Sequence, residues 1–223
     1  MKKGLLILCL TVSLFAAAQT KKINTPVAKP KLAITYTPAQ AMKNTNQYTI
    51  LNFDRTARTM QIDLYDYATL KKVTTLIDTK DFTALKDGID SYTFSADEKQ
   101  LLIANNTNQI FRHSFTADYY LYDTTNKKVS KVFDFQVQEP TFSPDGLKVA
   151  YGYRNNIYIK NLETQQTKQI TFDGEKNKII NGITDWVYEE EFAFVRAFEW
   201  NTEGTKIAYL KFDETEVPEF SMD

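Results

Sequence analysis

The chain has 223 residues, 43% of them apolar and 13% aromatic, with 27 basic residues against 28 acidic ones and a formal net charge of −1. That near-neutral balance gives no electrostatic footprint for nucleic acid, and one histidine and one cysteine are too few for a zinc site or a disulfide framework. No cofactor-binding pattern is present either, so chemistry has to be sought among carboxylates, hydroxyls and backbone.

At the N-terminus, Lys2 and Lys3 precede an apolar run from Leu5 to Phe15 and the small residues Ala16-Ala17-Ala18, the order of a signal peptide cleaved ahead of Gln19. The uncharged run is shorter than the ~20 residues a spanning helix needs, which favours cleavage over a membrane anchor, the competing reading. Residues 1–18 are therefore expected to direct the chain to a secreted or periplasmic location. Cys9 leaves with them, and so do Lys2 and Lys3, which shifts the net charge to about −3. Residues 19–35, with Pro26 and Pro30, read as a linker or exposed arm. Residues 36–223 are long enough for one sizeable core.

Beyond the linker, short strands alternate with turns. Met60 to Tyr65 and Lys72 to Ile77 form one pair, Tyr119 to Asp123 and Val129 to Phe133 another, and Asn156 to Leu162 with Lys168 to Phe172 a third. Superimposed on them is a repeat. Phe142-Ser143-Pro144-Asp145-Gly146-Leu147-Lys148-Val149-Ala150-Tyr151 recurs as Trp200-Asn201-Thr202-Glu203-Gly204-Thr205-Lys206-Ile207-Ala208-Tyr209, and more loosely from Phe94 to Ile103. In each copy an aromatic ends one strand, a tight turn follows, and the next strand opens with apolar residues. The copies start 48 and 58 residues apart, a spacing suited to propeller blades. Phe94, Phe142 and Trp200 are expected to pack between sheets rather than touch a ligand. The fold class predicted is all-β: an incomplete β-propeller of about three blades and the start of another, with an open edge. The ten extra residues of the second interval fall around Asn181 to Phe194, which marks an insertion projecting from a blade.

That insertion holds the most informative segment, Asp185-Trp186-Val187-Tyr188-Glu189-Glu190-Glu191-Phe192-Ala193-Phe194-Val195. Three consecutive carboxylates among bulky apolar residues repel one another and lose hydration, so they suggest a cation to be bound. The plainer alternative is a short helix with a solvated acidic face. Asp185 or Thr184 is a suitable N-cap, Glu189 gains from the helix N-terminal field, and Trp186, Val187 and Phe192 are expected to anchor the helix to its blade. The run Asn181-Gly182-Ile183-Thr184-Asp185-Trp186-Val187-Tyr188-Glu189-Glu190-Glu191 closely resembles the double-glutamate motif of the dipeptidyl peptidase IV family. Phe111-Arg112-His113-Ser114-Phe115-Thr116-Ala117 is similar to that family's aromatic-Arg-His-Ser segment, and residues 213–218 resemble the strand after the motif.

The resemblance implies an eight-bladed parent propeller and removal of N-terminal dipeptides, with proline or alanine as the second residue. It implies that Glu190 and Glu191 hold the substrate's α-amino group, that Arg112 reaches the same site, and that members are commonly homodimers. Catalysis in the family belongs to an α/β-hydrolase domain beyond these residues. No serine of this chain has the Gly-x-Ser-x-Gly setting of a nucleophile elbow, and His113 reads as a structural hydrogen-bonding residue on a strand between Arg112 and Phe115. The expectation is a propeller portion that is inactive alone, with no catalytic residue, metal or cofactor of its own, whose partners are peptide N-termini. The rival is a non-enzymatic propeller that binds protein partners. Asp185 to Glu191 combined with Arg112 is the feature that separates them.

Overall fold

The computed structural model describes residues 39–218, so the expected signal peptide and the whole of the expected linker lie outside the described residues. The first four strands, β1 (Ala39–Ala41), β2 (Gln47–Asp54), β3 (Thr59–Asp66) and β4 (Lys72–Asp78), form an antiparallel meander in chain order. The arrangement repeats in β5 (Ser91–Phe94), β6 (Gln100–Gln109), β7 (Phe115–Asp123) and β8 (Lys128–Lys131). It repeats again in β9 (Gln138–Phe142), β10 (Lys148–Tyr153), β11 (Asn156–Asn161) and β12 (Thr167–Gln169). These are three blades of an incomplete β-propeller, as the repeat predicts.

A strand buried on one face alternates apolar with polar, but a strand sandwiched between blades is apolar on both. β6 is of the second kind. Leu101 and Ile103 join Ile62, Ile77, Leu85, Ile89 and Tyr122 in the core between the first two blades. Their neighbours Leu102 and Ala104 face the other way, into a core shared with Val149 and Tyr151 of the third blade. β10 does the same one step along: Ala150 turns from Val149's core toward Ile157, Ile183 and Phe198. Phe94, Phe142 and Trp200 each pack against one of these cores.

The repeated turn has a local cause. Ser143 Oγ donates to Asp145 Oδ1 at 2.5 Å and accepts the Lys148 N–H at 3.0 Å, while Gly146 takes the left-handed φ of 72° that closes the loop. Ser95 and Asp97 repeat these bonds at 2.7 and 3.0 Å, and Asn201 replaces the serine by accepting from Thr205 and Lys206. Ser95 and Ser143 are thus buried turn formers. Glu98 occupies the left-handed place that Gly146 and Gly204 fill elsewhere. Its carboxylate accepts the backbone N–H groups of Lys43 and Asn44, so the turn of one blade clips the first loop of the blade before it.

After the third blade the pattern changes. β13 (Ile179–Asn181) pairs with β16 (Lys211–Asp213), and β14 (Phe198–Trp200) pairs with β15 (Ile207–Tyr209). One nearly continuous run, 207–213, is therefore faced by two pieces of a strand that has been interrupted. The join is closed by Gly182 N–H to Leu210 O at 2.9 Å and Ala197 N–H to Gly182 O at 2.9 Å. Gly182 is required there: its φ is +74°, and a Cβ would lie 2.6 Å from the Ile157 side chain. The chain between the two pieces leaves the sheet and carries the helix α1 (Trp186–Phe192). This is the insertion that the longer repeat interval predicts.

Candidate functional site

Two segments meet at the site. The first is residues 110–114, where the sequence predicts a strand between Arg112 and Phe115. It is instead the loop joining β6 to β7, closed by Ile110 N–H to Ser114 O at 2.9 Å, and the strand begins only at Phe115. A bulge between Asn105 and Asn108 and the loop's own closure take up the backbone groups that a regular ladder would pair.

The second is the excursion from Thr184 to Val195, pinched at its base. Thr184 N–H donates to Val195 O at 2.9 Å, its hydroxyl donates to Phe194 O at 3.0 Å, and Ile183 bridges to Arg196. Asp185 is the N-cap, with Oδ1 accepting the Tyr188 N–H at 2.8 Å. Ala193 ends the helix in the left-handed region at φ 54°, its N–H returning to Glu189 O. The helix is only seven residues, about 10 Å at 1.5 Å per residue.

The expected apolar anchor is reversed. Trp186, Val187 and Phe192 are 56%, 50% and 63% exposed, whereas Glu189 is 1% exposed. A helix this short, pinned at both ends, presents one side to the protein, and that side carries a carboxylate. Glu189 Oε1 accepts the backbone N–H groups of His113 at 2.5 Å and Ser114 at 2.8 Å. Burial pushes this carboxyl up, but hydrogen bonds from Ser114 and His113 outweigh it and hold it below the ordinary glutamate value. Tyr188 supplies the aromatic contact, with its ring 4.9 Å from Phe212 and near Phe192 and Phe194.

Arg112, beside these two amides, points its Nε at Glu190 Oε2 at 3.2 Å. The contact is a single one rather than a fork, and the Arg112 side chain is 70% exposed against 19% for Glu190. Glu191 is exposed, and its carboxylate has no hydrogen bond or ion pair among the described residues. The structure thus brings Arg112 to Glu190, with Glu191 next along the helix. His113 and Ser114 contribute backbone N–H groups, and the serine is only 3% exposed. Two adjacent carboxylates, one held by a guanidinium and one free, can accept donors from an ammonium in addition to those already satisfied.

A further carboxylate lies nearby that the sequence did not reveal. Glu139 sits in an irregularity of β9 at a left-handed φ of 51°, lining a cavity of about 150 Å³ with Tyr119, Thr141 and Arg196. Its carboxyl is pushed up, chiefly by burial, with Arg196 opposing and Glu189 adding to the rise. Arg196 donates to Thr141 Oγ1 at 3.2 Å and pairs with Glu199, while its buried Nε has no hydrogen-bond partner among the described residues. The only sequence sign of this site is the placement of Glu139 before Pro140 inside an otherwise regular strand.

The acidic helix thus stands off one blade of this propeller, and an arginine loop from another blade reaches it. Residues 95–223 match the family model described as the dipeptidyl peptidase IV (DPP IV) N-terminal region, and the chain belongs to that family. The chain is 39% identical over 140 residues to dipeptidyl peptidase 4 of Felis catus, covering 61% of this chain and 18% of the relative. It is 39% identical over 131 residues to the human prolyl endopeptidase FAP, covering 57% and 17%. The crystal structure of Porphyromonas gingivalis dipeptidyl peptidase 4 superposes with a TM-score of 0.75 at 35% identity, over 82% of this chain and 26% of that one. The chain therefore spans under a fifth of the length of these curated relatives.

Proposed function

We propose that this chain is the N-terminal propeller portion of a secreted or periplasmic dipeptidyl peptidase IV-like serine peptidase, and that it supplies the carboxylates that hold a peptide's N-terminal amine. Glu190 and Glu191 accept from the α-ammonium, and Arg112 keeps Glu190 in place. Family membership and the 3.2 Å contact between Arg112 and Glu190 support the reading, and the second is the observation that carries it. A charged amine has three N–H donors and is largely protonated at neutral pH. Fixing it at one point leaves room for a set length of chain before the bond to be cut, which selects a dipeptide product and rejects blocked N-termini. Preference for proline or alanine as the second residue rests on the family resemblance. No helix of the described residues is long and apolar enough to cross a membrane.

The test is a hybrid enzyme in which this chain replaces the matching segment of the Porphyromonas gingivalis peptidase. Glu190→Gln or Glu191→Gln removes a charged hydrogen bond worth ~1.5–3 kcal/mol, so kcat/KM on a free-amine dipeptide substrate is expected to fall roughly ten- to a hundred-fold. An N-acetylated substrate is expected to be poor and indifferent to either change. Parental rates in both variants would remove the amine-binding role and leave a solvated acidic face.

A further inference from the structure

We infer that Glu189, the member of the triplet that faces away from solvent, is the positioning residue of this site. Its carboxylate ties the His113-Ser114 backbone to α1 and thereby sets where the Arg112 guanidinium meets Glu190. The inference rests on the amine-site reading of Glu190 and Glu191.

Arg112 does not hold itself. Its side chain is mostly exposed and makes one Nε contact with Glu190, and a long exposed side chain gains little from a single ion pair because ordering it costs rotamer freedom. The residue also belongs to a loop rather than to the strand that follows it, so no ladder fixes its Cα. Immediately after it, however, two successive backbone N–H groups converge on one oxygen of Glu189, at 2.5 and 2.8 Å. That oxygen comes from a side chain 1% exposed, 75 residues further along the sequence. Glu190 follows Glu189 on the same helix. One buried carboxylate therefore fixes both sides of the Arg112 to Glu190 contact: the backbone from which the arginine springs and the helix that presents its partner. The three glutamates divide into one that builds the site and two that face the ligand.

The experiment uses the full chain, isotopically labelled, titrated with glycyl-prolinamide and followed by amide and arginine Nε resonances. In the parent, the His113 and Ser114 amide protons are expected downfield and slow to exchange, as charge-assisted donors are. Glu190→Gln is expected to weaken glycyl-prolinamide binding at least ten-fold. Glu189→Gln preserves the side chain's shape but not its charge; it is expected to weaken binding by about as much, to move both amides upfield and to release the Arg112 Nε signal. The decisive arm is a double-mutant cycle. If Glu189 acts through Arg112, Glu189→Gln combined with Arg112→Ala binds no more weakly than Arg112→Ala alone. Additive losses would reduce Glu189 to a structural role and overturn the inference. Dependence on Glu190 without dependence on Glu189 would also overturn it while leaving the amine-site reading intact. Indifference to Glu190→Gln, or no binding by the parent, would remove the reading and the inference with it. Should Glu189→Gln fail to fold, the parent's own amides decide: ordinary loop exchange rates at His113 and Ser114 would sink the proposal.

Discussion

The three blades and the acidic excursion obey opposite rules. In the blades the apolar side chains of β6 and β10 are buried on both faces. In the excursion Trp186, Val187 and Phe192 face solvent and a carboxylate is the deepest residue. The difference follows from what each segment has to satisfy. A blade has its backbone paired by neighbouring strands and gains from apolar area removed from water. A loop such as 110–114 leaves unpaired N–H groups, and a buried acceptor satisfies them better than a hydrocarbon does.

The contrast is sharpened most by truncating a side chain in each region. Ile103→Ala removes a fully buried side chain of β6 and is expected to cost about 2–5 kcal/mol in urea denaturation. Glu189→Ala is next, at about 2–4 kcal/mol at neutral pH, because two N–H groups lose a charged acceptor. Its pH dependence has a definite sign. The folded carboxyl lies below its ordinary value of 4.5, so the contribution is complete above that pH and is lost as pH falls through the folded value. The gap between parent and Glu189→Ala should narrow in acid, and a gap independent of pH would break the assignment of charge to that site.

Glu139→Gln should show the reverse trend. This carboxyl is raised in the fold, so its contribution is favourable below the unfolded value and declines as pH rises through the folded one. The glutamine variant is expected to be the more stable at neutral pH and to lose that advantage in acid, measured by the same denaturation series. Smallest of all, Phe192→Ser is expected to stay within about 0.5 kcal/mol of the parent, since its ring is mostly in water. A loss as large as that of Ile103→Ala would mean that the excursion is held by apolar burial after all.

How much of this was legible in the sequence depended on how local each cause was. The blade turns were readable because Ser143, Asp145 and Gly146 act on residues within five positions of themselves. Asp185 was readable as an N-cap for the same reason. Arg112 and Glu190 are joined only by the family resemblance, since nothing in the spacing connects residues 78 apart. Trp186, Val187 and Phe192 mislead because apolarity does not imply burial in a helix too short to bury a face. The role of Glu189 was hidden because its partners are backbone N–H groups, which every residue but proline possesses and no sequence pattern marks. Glu139 was hidden because it sits in an irregular, left-handed part of a strand that otherwise reads as regular.

The bond from Ser114 to Glu189 joins residues 75 apart, and this has a consequence for the order of events on the ribosome. At ~5–20 residues per second, about 4–15 s separate the emergence of the loop from that of the glutamate that caps it. During that interval the second blade can pair its own strands, but the His113 and Ser114 amides have only water to bind. The arginine loop is therefore the last part of the second blade to settle, and pulse-labelled amides there should gain protection only when the excursion does.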